Sequence, residues 1–122
     1  MAQILVVDDS QTVCNEVGDF LTKNGLDVVL AVDGRDGLAK LGKDPRIRLV
    51  LADVNMPNMD GLTMAEKIRS ELKNNTVNVI MLTTESSPIM KERGKAAGIK
   101  GWIVKPFNGP AVLATFRKLV GV

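Results

Sequence analysis

The sequence predicts an α/β domain in which five parallel strands alternate with five helices. Five short apolar runs carry the prediction: Ile4–Val7, Val28–Ala31, Leu49–Ala52, Val79–Leu82 and Trp102–Val104. None alternates polar with apolar residues, so each fits a strand buried on both faces of a parallel sheet. The intervals between them carry helical spacing, giving the order βαβαβαβαβα. Right-handed crossovers then place helices on both faces of the sheet. One domain over residues 1–122 fits the length.

Each element has its own signals. Strand 1, Ile4–Val7, runs into Asp8-Asp9-Ser10, and Val13, Val17, Phe20 and Leu21 then mark helix 1 before the stop at Gly25. Strand 2 is followed by an Asp33-Gly34 turn and a short helix carrying Leu38 and Leu41. Strand 3 leads through a loop of turn-forming residues to helix 3, with Leu62, Ala65, Ile68 and Leu72 on one stripe. Helix 4 is poor in apolar residues, with Ile89, Ala96 and Ala97, and ends at Gly98. Helix 5 carries Leu113, Phe116 and Val120 and opens with Pro110 in a first-turn position. Of the doubly wound strand orders, 2-1-3-4-5 sets the ends of strands 1 and 3 side by side at the switch point, where such sheets bind ligands.

Composition removes several chemistries. The chain has no histidine and no tyrosine. Ser-His-Asp and Cys-His catalysis, His-ligated zinc and imidazole acid–base chemistry are therefore absent from it. The single cysteine, Cys14, cannot form an internal disulfide, which suits a reducing, cytoplasmic setting. It lies near the helix 1 stripe and is expected to be a small buried residue. No apolar run approaches membrane-spanning length, and Met1-Ala2-Gln3-Ile4 lacks a basic n-region, so neither a membrane span nor a cleaved signal peptide is expected. The net charge of +2 is too small to imply nucleic-acid binding. Its distribution is uneven: residues 1–60 hold 10 acids and 6 bases, residues 61–122 hold 4 acids and 10 bases. Ordinary solvated helix faces would account for this; so would an acidic metal site in the first half and a basic partner surface in the second.

The carboxylates are harder to explain by folding alone. Asp8 and Asp9 are adjacent at the end of strand 1, and Asp53 follows strand 3. Like charges repel, and each must shed water at the end of a core strand. Helix capping by Asp9 or Ser10 is the plain alternative. A pair so placed usually has a counterion, and a hard divalent cation with oxygen ligands suits it. Thr83 leaves the end of strand 4 and Lys105 the end of strand 5, so a hydroxyl and an amine are predicted at the same edge. The set argues for a Mg²⁺-dependent phosphoryl site.

Taken in order, Val6-Val7-Asp8-Asp9-Ser10, Asp53 with Met56-Pro57-Asn58-Met59-Asp60-Gly61, Leu82-Thr83 and Val104-Lys105-Pro106-Phe107 resemble the receiver domain of two-component response regulators. Ala96-Ala97-Gly98 and Gly101-Trp102 also match, and the resemblance covers nearly the whole chain, looking closest to the stand-alone chemotaxis members. It implies a flavodoxin-like receiver fold, of whose strand order this family is itself a standing example. It implies that Asp53 is the phosphoacceptor and that Asp8, Asp9, Asp53 and the backbone carbonyl of Asn55 hold Mg²⁺. Thr83 and Lys105 would contact the phosphoryl group. Asn55 and Glu85 would flank it and set its lifetime, as in fast-cycling chemotaxis receivers. The implied partners are a histidine kinase of the chemotaxis type, an output protein such as the flagellar motor switch, and a phosphatase. The implied protein is a cytoplasmic monomer, without nucleic-acid or membrane partners. It is not an enzyme beyond taking a phosphoryl group from phosphohistidine and losing it again.

Two positions depart from the family pattern. Thr84 stands where a small Ala or Gly is usual, which is expected to narrow access to the phosphoryl group. Trp102 stands where Tyr or Phe is usual, a ring that moves inward when Thr83 is drawn to the phosphoryl group; a static core indole is the alternative. Lys91, Arg93, Lys95, Lys100, Arg117 and Lys118 are expected to form a basic output face on helix 4, strand 5 and helix 5, suited to an acidic partner. A phosphorelay intermediate or a receiver for pilus-based motility would use the same chemistry. A flavodoxin-type electron carrier would need a Ser/Thr/Gly-rich loop after strand 1, and a haloacid-dehalogenase-type phosphatase an Asp-x-Asp there; Asp8-Asp9-Ser10-Gln11-Thr12 is neither.

Overall fold

A computed structural model describes residues 3–84 and 87–122. The elements are β1 Ile4–Val7, α1 Gln11–Lys23, β2 Val28–Ala31, α2 Gly34–Lys43, β3 Leu49–Ala52, α3 Gly61–Ser70, β4 Asn78–Thr83, α4 Pro88–Ala96, β5 Gly101–Val104 and α5 Gly109–Val120. All four pairings are parallel and the sheet order is β2-β1-β3-β4-β5, as predicted. β4 is longer than its apolar run by Asn78 and Thr83, because polar residues at either end still join the ladder.

Strand alternation splits the core into two layers. Leu5, Val7, Val50, Ala52, Val79 and Met81 face α2 and α3, where Leu41, Leu62, Met64 and Ile68 are buried. Ile4, Val6, Leu49, Leu51, Ile80 and Leu82 face α1 and α5, against Val17, Leu21, Phe116 and Val120. Phe116 is wholly buried; burial of such a side chain contributes about 1.5–3 kcal/mol. The expectation of burial on both faces holds for the inner strands only. β2 and β5 are sheet edges, and Leu30 and Val104 remain exposed on them.

Side-chain caps fix where the helices begin. Ser10, Asp33, Asp60 and Ser87 accept the N–H three residues on in α1, α2, α3 and α4. The capping alternative therefore applies to Ser10, not to Asp9, whose side chain stays exposed. No helix among the described residues is long and apolar enough to cross a membrane.

Candidate functional site

Register builds the site. Val7 of β1 lies level with Ala52 of β3, so the next residues, Asp8 and Asp53, leave the sheet side by side. The backbone fixes both: Asp8 N–H donates to the Ala31 carbonyl at 3.0 Å and Asp53 N–H to the Val7 carbonyl at 3.1 Å. Thr83 of β4 is level with Val104 of β5, and Lys105 N–H donates to the Thr83 carbonyl at 3.0 Å. The four strand ends thus deliver Asp8, Asp53, Thr83 and Lys105 to one edge. Gly61 closes the loop after Asp53; a Cβ there would collide with the Asp53 carbonyl, so only glycine lets α3 approach so closely.

Carboxylate oxygens of Asp8, Asp9 and Asp53 all lie within 4.8 Å of one another. The Lys105 ammonium bridges two of them, 2.9 Å from Asp8 Oδ2 and 3.1 Å from Asp53 Oδ2. Three carboxylates against one ammonium leave the cluster short of positive charge. Two unit charges 4.8 Å apart repel by roughly 3.5 kcal/mol at an effective dielectric of about 20. Asp8 shows the strain most: burial pushes its carboxyl above the ordinary value of 3.8, against the Ser10 N–H at 2.9 Å and the Lys105 bridge, which pull it down. For Lys105, burial pulls the ammonium down, and the hydrogen bonds to Asp8 and Asp53 more than reverse this. A desolvated carboxylate beside two others, with an oxygen-only donor set, fits a hard divalent cation such as Mg²⁺.

The other expected residues fall into place unevenly. Thr83 is fully buried at the end of β4, and Asn55 and Thr84 are exposed. Glu85 lies outside the described residues. Trp102, half-buried, packs on the α2–α3 layer with its ring against Gly94 of α4. Cys14 is buried, with its thiol directed at the Asp8 carbonyl 3.3 Å away. On the expected basic face Lys91, Arg93, Lys95, Lys100 and Lys118 are exposed; Arg93 is paired with Glu66 and Thr63, and the half-buried Arg117 donates to the Asn24 carbonyl. The sequence reading missed Asp33, which is buried and bonded to Asn58 across two loops. The Asp33-Gly34 turn was visible, but nothing in the sequence joins it to a residue 25 positions on.

The response regulator receiver domain family model matches residues 4–117. The chain belongs to the response regulator receiver family. Its relatives include a chemotaxis protein CheY homolog of Campylobacter jejuni, 38% identical over 91% of this chain and 85% of the relative. Protein PilH of Pseudomonas aeruginosa is 31% identical over 98% of both chains. Among solved structures, the chemotaxis protein CheY4 of Vibrio cholerae superposes with a TM-score of 0.88 at 41% identity, covering 98% of both chains. As a receiver, the chain is phosphorylated within its aspartate cluster in a two-component pathway, with a histidine kinase upstream and an effector downstream. The cluster is one that could hold a divalent metal.

Proposed function

We propose that this receiver is a phosphorylation-controlled binding switch of a chemotaxis-type pathway in the cytoplasm, with Asp53 as acceptor. The observation that carries the proposal is the Lys105 ammonium held between Asp8 and Asp53 over a three-carboxylate cluster. An Asp53 carboxylate oxygen attacks the phosphorus of a phosphohistidine; the new P–O bond forms as the P–N bond breaks, and the imidazole leaves with a proton from water. Lys105 exchanges its carboxylate contacts for the phosphoryl oxygens, and Thr83, on the neighbouring strand end, supplies a hydroxyl. Such a transfer proceeds through a loose transition state, so positioning and charge stabilisation do most of the work. Asp8, Asp9, Asp53 and the Asn55 carbonyl would hold Mg²⁺, which offsets the charge of the transferred group when bound.

Asn55, Thr84 and Glu85 set how long the phosphoryl group survives, and the Asn/Glu pair supports a short lifetime. Output follows from a population shift. Drawing Thr83 toward the phosphoryl group vacates space on the sheet face it shares with Met81, and the Trp102 ring, in register with Met81, moves along that face. The exposed lysines of α4 and α5 then favour an acidic partner, with the flagellar motor switch the favoured case. A receiver for pilus-based motility would use the same chemistry.

A radiolabelled phosphohistidine kinase tests the proposal. With Mg²⁺, label should pass to this chain, decay within minutes, and not pass at all to Asp53→Asn, because an amide is a poor nucleophile. Thr84→Ala should shorten the decay. Undiminished label on Asp53→Asn would refute the acceptor, and a half-life of hours would favour a phosphorelay intermediate.

A further inference from the structure

A second polar construction lies beside the aspartate cluster and is not part of it. Asp33, buried at the turn between β2 and α2, uses both carboxylate oxygens. One accepts the Asp36 N–H at 2.8 Å and so caps α2; the other accepts Nδ2 of Asn58 at 2.7 Å. Asn58 sits in the middle of the β3–α3 loop with φ of 66°, a left-handed conformation that asparagine tolerates better than most residues. Next to it, Gly34 N–H donates to the Met59 carbonyl at 3.1 Å, and a Cβ on Gly34 would lie 2.6 Å from that oxygen. The loop is therefore fastened at three places. Asp53 is tied to β1, Asn58 and Met59 to the β2–α2 turn, and Gly61 N–H to the Val54 carbonyl at 3.0 Å. Asn55 lies between the first two ties.

We propose that the Asp33–Asn58 hydrogen bond is a positioning clamp that presents the Asn55 carbonyl to the bound cation. The clamp rests on the metal site proposed above. An exposed loop carbonyl is a poor ligand if its segment is slack, because ordering it then opposes binding. The bond is charge-assisted and half-buried, with Asp33 buried and Asn58 exposed, so it is stronger than a neutral loop contact. The Asp36 N–H, and then the Asn58 amide, hold the Asp33 carboxyl below its ordinary value, in keeping with an ionised acceptor. Mg²⁺ demands near-ideal octahedral geometry while Ca²⁺ accepts flexible coordination, so loss of the clamp should penalise Mg²⁺ more.

Mg²⁺ and Ca²⁺ titrations of the full chain, followed by amide chemical shifts, test the clamp. Asn58→Gly keeps the left-handed backbone accessible and removes only the side-chain tie. It should weaken Mg²⁺ binding roughly tenfold, the scale seen for outer-shell metal partners, and Ca²⁺ binding less. The exchanged pair Asp33→Asn with Asn58→Asp keeps a cap on α2 and reverses the polarity of the bond, and it should recover most of the lost affinity. Asp9→Ala serves as the reference that removes a proposed ligand. If Asp9→Ala loses Mg²⁺ while Asn58→Gly binds it as the wild type does, the clamp is wrong and the metal site stands. If Asp9→Ala binds Mg²⁺ unchanged, the metal site fails and the clamp falls with it. An equal loss for both ions, with a lower unfolding midpoint, would show general loosening and overturn the clamp.

Discussion

Asp8 is 3% exposed, and burial holds its carboxyl above the ordinary value of 3.8. Its ionised form therefore weighs against the folded state. The penalty grows as pH rises from 3.8 to the raised value and is constant beyond it. A cation that binds the ionised form offsets this cost. Saturation at a hundred times the dissociation constant should stabilise the fold by about 2.7 kcal/mol. This increment should be full at neutral pH and vanish as pH falls through the raised Asp8 value. Asp8→Asn should melt higher than wild type in chelator at neutral pH and gain nothing from Mg²⁺. Thermal melts with Mg²⁺ and with chelator at two pH values check both statements, and an unchanged Mg²⁺ increment in Asp8→Asn would contradict the assignment. The place of Asp8 in the carboxylate cluster was legible from its position after a core strand. The partners of Arg93 and Arg117 were not legible, because residue type says nothing of a partner: Glu66 sits on a different helix, and the Asn24 carbonyl leaves no trace in side-chain pattern.

Among the helices, α4 is the most sparsely buried. Only Gly94 of its nine residues is buried, and Ile89 in its first turn is 83% exposed. The Arg93–Glu66 bridge ties it to α3, but both side chains are 43% exposed, so solvent limits the bridge to about 0–1 kcal/mol. The same shortage of apolar residues made α4 the faintest helix in the sequence, whereas α1, α3 and α5 announced themselves by their stripes. Weak anchoring suits the proposed switch, in which α4 shifts as Trp102, packed on Gly94, changes position. Amide exchange should be faster in α4 than in α1, α3 or α5, and Glu66→Gln should quicken it further while lowering global stability by less than about 1 kcal/mol. Beryllofluoride, a phosphoryl analogue, should change both α4 exchange and Trp102 emission in the wild type, and Thr83→Ala should bind it with little change in either. Identical exchange and emission with and without the analogue would make Trp102 a static core residue.

For the whole molecule, the fold was readable because a parallel sheet covered on both sides needs uninterrupted apolar strands, and helices between them need stripes. Once five such strands are ordered, Val7 level with Ala52 is enough to bring Asp8 and Asp53 together from 45 positions apart. The Asp33–Asn58 tie was not readable, since it depends on how deeply two loops sit against each other rather than on any periodicity. The proposed function makes the converged carboxylates a Mg²⁺-dependent phosphoacceptor. Peptide mapping by mass spectrometry, after exposure to a small acyl phosphate with either Mg²⁺ or chelator, tests it most directly. One phosphoryl group should appear, on the peptide containing Asp53, with Mg²⁺ and not with chelator. A phosphoryl group on another peptide, or equal labelling in chelator, would contradict the account.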